Sequence, residues 1–180
     1  ANEKTAYESA LGTCFAGRRA RVSMKHVGLN VAADPFVNSA LVATHGGLLV
    51  VVADDPGMHS SQNEQDSRFY ADFARVPCLE PATQQEAYDM AREALDLSER
   101  FKVPVLMRIV TRLAHSRTTV RLAEPRGQNP VTRAPLRSSW ILLPANARRQ
   151  WNELLDRQAG MQAWSESSPR NALTLNPERR

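Results

Sequence analysis

The chain has 180 residues, 42% of them hydrophobic, and carries a net charge of +4. That length suits one domain with a buried core, and no run approaches the roughly 18 apolar residues of a membrane span. Cys14 and Cys78 are too few for a disulfide framework and too far apart for a CxxC motif, so reduced thiols and a cytoplasmic location are expected.

 The charge is uneven: residues 1–118 hold 13 Lys/Arg against 14 Asp/Glu, whereas residues 119–180 hold 10 Arg against 5 acids. A nucleic-acid reader would carry its basic face on the folded body with aromatics interleaved, so nucleic-acid binding is set aside.

Asn2 caps a first helix, Glu3 to about Ala16, which Gly17 stops. Arg21–Met24 is a short strand, followed by a loop over Lys25–Asp34. Asp34-Pro35 reads as a helix start, and that helix runs to about Thr44 before Gly46-Gly47. Leu48–Ala53 is apolar without alternation, the pattern of a strand buried on both faces of a parallel sheet. A polar loop follows, then a helix over Glu64–Ala74 with Phe69, Tyr70 and Phe73 on one side, and a short strand at Pro77–Glu80. Thr83-Gln84-Gln85-Glu86 is a capping box opening a long amphipathic helix to about Phe101. Val105–Val110 is a second buried strand, ending in a polar loop with Thr111, Arg112, His115, Ser116 and Arg117.

Strands alternating with helices predict an α/β fold, a parallel sheet flanked by helices. The order opens on a helix and Ala1 is not Met, so a truncated piece lacking its first β–α unit is expected. The domain reading is a partial α/β body over 1–118, then a linker over 119–180 rich in Pro and Arg. That linker holds one helix, Ala145–Gln162, with Trp151, Leu154 and Leu155 as its apolar stripe, and an extended end from Ser165.

No GxxxxGK[ST] or GxGxxG phosphate loop is present. His45-Gly46-Gly47 has no GxSxG partner for esterase chemistry, so its glycines are expected to end a helix before a strand. The four histidines include no i,i+4 pair, which argues against a metal site. In a parallel sheet, however, the loops after the strands share one edge, where α/β folds bind ligands. That edge gathers Lys25, His26, Asp54, Asp55, His59, Arg112, His115 and Arg117.

Two long runs are more specific. Met24–Pro35 (MKHVGLNVAADP) and Val52–Arg68 (VADDPGMHSSQNEQDSR), preceded by Asn2-Glu3-Lys4 and followed by Thr111-Arg112 and His115-Ser116-Arg117, resemble the indolepyruvate:ferredoxin oxidoreductase alpha-subunit family. The resemblance implies the pyrimidine-binding domain of a thiamine-diphosphate enzyme. Such enzymes decarboxylate an aryl 2-oxoacid oxidatively, join the acyl group to coenzyme A and pass electrons through iron–sulfur clusters to ferredoxin. It makes Glu3 the catalytic acid, placed against N1′ of the aminopyrimidine. It makes Glu3, Lys25, His26 and Gly28 cofactor-binding, and His59, Ser60, Ser61, Gln62, Asn63 and Glu64 an active-site loop.

No Gly-Asp-Gly segment for Mg2+ and diphosphate is present, and two cysteines cannot ligate a [4Fe-4S] cluster. The family's magnesium, clusters and diphosphate-binding domain are therefore expected elsewhere, on the same or a second alpha chain, with a beta subunit as further partner. The rival reading is a non-catalytic α/β docking module whose basic tail binds a partner.

Overall fold

The computed structural model describes residues 2–132, 138–173 and 175. Helix α1 (Glu3–Phe15) starts where Asn2 accepts the Thr5 N–H at 3.1 Å. It stops at Gly17, whose φ of +86° is the left-handed conformation glycine adopts without cost. Its inner face is Tyr7, Ala10 and Cys14. Strand β1 (Ala20–Lys25) leads directly into helix α2 (His26–Val31), and helix α3 (Ala33–Ser39) follows.

The expected loop over Lys25–Asp34 is thus mostly helical. Gly28 and Asn30 weaken the local helix signal, but His26, Gly28 and Leu29 are buried, and burial decides. Asp34 does not cap α3. It lies in the first turn, pairs with Lys4 Nζ at 3.0 Å and accepts from Asn38. The helix ends at Ser39, well short of Thr44. Gly46 and Gly47 therefore serve close packing and not helix termination. A Cβ at Gly46 would lie 2.0 Å from the Arg18 carbonyl oxygen, and one at Gly47 2.4 Å from that of Leu95.

Strand β2 (Leu48–Asp54) forms the centre of the sheet, with Leu48, Leu49, Val50 and Val52 all at 1% exposure or less. Helix α4 (Arg68–Ala74), the two-residue strand β3 (Cys78–Leu79), helix α5 (Gln84–Phe101) and strand β4 (Val105–Val110) complete the body. All four strands run parallel in the order β1-β2-β4-β3. The capping box at Thr83 and Glu86 is present, and α5 lays Met90, Ala94, Leu97 and Phe101 on the core.

Helix α4 starts four residues later than expected, because the chain from Glu64 to Ser67 is committed to loop and strand-end hydrogen bonds. Its buried residues are Ala71 and Ala74, while Phe69 and Phe73 stay exposed. The loop expected after β4 opens with one helical stretch, α6 (Thr111–His115).

Residues 116–132 have no regular structure, yet they are pinned along α5. Arg121 and Gln85 exchange hydrogen bonds, Arg92 donates to the Glu124 carbonyl, and Thr132 N–H donates to Ala16 O. A short 3-10 turn (Ser138–Trp140) precedes helix α7 (Pro144–Ser167), which is longer at both ends than the sequence suggested. Its buried residues are Gln150, Leu154 and Met161; Trp151 and Leu155 are partly exposed.

Candidate functional site at the carboxyl edge of the sheet

Parallel strands put Lys25 and His26, Asp54 and Asp55, and Val110 and Thr111 at one edge. Helix α1 ends beside Gly46 and Gly47 at the opposite edge, so its first residue, Glu3, stands at the carboxyl edge too. The meeting of Glu3 with α2 is close. A Cβ on Gly28 would lie 2.7 Å from Glu3 Cγ and 3.0 Å from Oε1, so only glycine leaves room for this acid. Glu3 is half-buried, and among the described residues its carboxylate has no hydrogen-bond or ion-pair partner.

The loop after β2 is the opposite case. Asp55 accepts from Ser60 N at 2.8 Å, Ser61 Oγ at 2.8 Å and Thr111 Oγ1 at 2.7 Å. Those donors, the Ser60 amide first, hold its carboxyl well below the ordinary carboxylate range. Lys25 donates to Ser60 O at 3.1 Å. The buried His26 ring sets Nε2 3.1 Å from Asn63 O and Nδ1 3.4 Å from Ala53 O. Glu64 accepts from Gly57 N, which sits at φ +81°.

Lys25 and His26 therefore spend their polar atoms on the backbone of the loop and of the end of β2, and Ser61 and Glu64 theirs on the loop's framework. Asn63 takes a hydrogen bond from Gln65. His59 and Gln62 remain exposed with side chains that bond to nothing among the described residues. Arg112, His115 and Arg117 are likewise exposed and join none of these contacts.

A second network lies beside the loop. Asp54, 1% exposed, accepts from Ser67 through both N–H and hydroxyl and from Arg108 Nε at 2.5 Å. Arg108 also reaches Glu80 at 2.6 Å, and Arg68 grips Asp66, whose carboxyl falls to about 2 chiefly through that hydrogen bond. The sequence pointed to Asp54 but not to its partner. The available signal was Arg108 itself, a charge inside the apolar strand VLMRIV that needs a buried counter-ion. Burial pushes both thiols, Cys14 and Cys78, up to about 12, in keeping with unreactive cysteines.

The family profile described as pyruvate flavodoxin/ferredoxin oxidoreductase, thiamine diP-bdg, matches residues 1–140. The chain belongs to this thiamine-diphosphate-binding family. Indolepyruvate oxidoreductase subunit IorA of Archaeoglobus fulgidus is 44% identical over 178 residues, covering 95% of this chain and 28% of the relative. The subunit of the same name from Thermococcus kodakarensis is 54% identical over 123 residues, 68% of this chain and 19% of the relative. The chain thus spans less than a third of the length of these relatives. A solved 2-oxoglutarate:ferredoxin oxidoreductase from Magnetococcus marinus shares the fold, with a TM-score of 0.63 at 14% identity over 91% of this chain and 36% of that one.

Proposed function

We propose that this chain forms the pyrimidine side of a thiamine-diphosphate site in an indolepyruvate:ferredoxin oxidoreductase alpha subunit, a cytoplasmic enzyme acting on aryl 2-oxoacids. The observation that carries the reading is the unpartnered, half-buried Glu3 carboxylate against Gly28. A polar group held in place without a partner fits a site whose partner is a ligand.

The residues fit the cofactor in kind. Glu3 would hold a proton at Oε against a ring nitrogen of the aminopyrimidine, and Gly28 keeps the α2 backbone close enough for a flat ring. When bound, thiamine diphosphate supplies the electron sink for decarboxylation of a 2-oxoacid. Lys25 and His26 act indirectly, by fixing the loop over residues 59–64, and His59 and Gln62 are left to meet substrate. Residues 119–180 act as a connector, whose described parts hold to the body through Arg92, Arg157 and Arg170. Mg2+ and the diphosphate would be held by another domain of the same or a second alpha chain, and [4Fe-4S] clusters, the beta subunit, ferredoxin and coenzyme A belong to the assembled enzyme.

The docking-module reading is weaker because tail arginines are used internally: Arg126 on Asp96, Arg157 on the Phe101 carbonyl, Arg170 on Glu93. The test is Glu3→Gln in the assembled enzyme. Turnover should fall by roughly a hundredfold or more, the scale of a lost acid–base group, with the circular dichroism spectrum unchanged. Near-normal turnover would refute the assignment. The chain alone should bind thiamine diphosphate far more weakly than about micromolar by calorimetry.

A further inference from the structure

The amino edge of the sheet, some six residues of β1 away and so roughly 20 Å from Glu3, carries a different site. Arg18, Arg19, Arg92 and Arg126 surround a cavity of about 550 Å³, whose remaining wall is Leu95 and residues 127–129. Two acids face these four cations, and both already accept from them. Glu99 accepts from Arg19, Asn129 and Gly47 N; Asp96 accepts from Arg19 and Arg126.

The guanidinium groups keep unused donors. Arg18 uses one nitrogen on Gln128, Arg92 one on the Glu124 carbonyl, and Arg126 one shared between Asp96 and the Arg92 carbonyl. The amides of Gly127, Gln128 and Asn129 have no acceptor among the described residues. The cavity is therefore rich in donors, carries an excess of positive charge and offers few free acceptors.

We infer that this cavity binds a small phosphate-bearing dianion or polyanion. Guanidinium forks match phosphate oxygens in pairs, and consecutive backbone N–H groups add donors that carry no sequence cost. The volume suits a ligand larger than a single phosphate. An anion here would bridge Arg18 before β1, Arg92 on α5 and the 126–129 segment, clamping the tail to the body. The site is separate from the thiamine reading and stands or falls without it.

The test uses the 180-residue chain and inorganic pyrophosphate in about 150 mM NaCl, where exposed charges are well screened. Calorimetry should show saturable binding, and the amide resonances of Gly127, Gln128 and Asn129 should shift together. Arg18→Gln with Arg92→Gln should weaken binding about tenfold or more while leaving the melting temperature within a few degrees. Unchanged affinity in that double variant, or no saturable binding, would overturn the site. If the variant unfolds, the wild-type resonances decide: shifts confined to other residues refute the site, and shifts at 127–129 support it. An equal response to a glutamate hexapeptide would also refute the phosphate assignment.

Discussion

Two acids stand at the same edge of the sheet and live differently. Asp55 is met by three donors from its own loop and from Thr111, whereas Glu3 is met by none among the described residues and is given room by a glycine. In the proposed function the crowded acid builds the wall, and the bare one is left for a partner from outside the chain. On that reading, polar density marks the scaffold of the proposed site, and the unsatisfied group its chemistry.

That contrast can be broken by substitution. Glu3→Gln should cost turnover far more than any change in the loop. Next comes Gly28→Ala, which forces Glu3 aside; a displacement of about 1 Å should lower kcat by roughly 10- to 100-fold with little loss of secondary structure. Asp55→Asn should be milder and act mainly on KM for the oxoacid, raising it about tenfold, because it loosens the loop that carries His59 and Gln62. If Asp55→Asn abolished kcat while Glu3→Gln left it intact, the two roles would be reversed.

Acid titration gives a smaller effect with a defined sign. Asp66 has its folded value depressed to about 2 by Arg68, so the unfolded chain takes up the proton first. The stability this pair provides is present above roughly pH 4 and is lost as pH falls through about 2. Urea unfolding of the wild type and Asp66→Asn should show a gap that closes on acidification. A gap that widens would contradict the hydrogen-bonded geometry. The smallest effect belongs to Arg170→Ala, which removes a tail ion pair to Glu93 with both partners about a third exposed; at most about 1 kcal/mol should be lost in the same assay.

The body of the fold was legible because its signals are strong and local: an unalternating apolar run for β2, a capping box for α5, Asn2 before α1. Helix α2 was not legible, since its stability comes from packing His26, Gly28 and Leu29 and not from their propensities. Phe69 and Phe73 misled for the converse reason; hydrophobic spacing on α4 says nothing about which face finds a neighbour, and the alanines do. The carboxyl edge of the candidate site was legible from the strand pattern, but Glu3 only through the family motif. Glu3 on composition is an ordinary first-turn acid, and its proximity to Gly28 is a tertiary fact that no spacing in the sequence encodes.

The strand order carries a consequence for synthesis. Because β4 lies between β2 and β3, neither can complete its pairing until β4 has left the ribosome. Until then β2 presents one bare edge of the most apolar strand in the chain, a template for pairing with a neighbouring nascent chain. The pairing of β4, with Arg108 seating on Asp54 as it enters, is then also the step that covers this edge of β2.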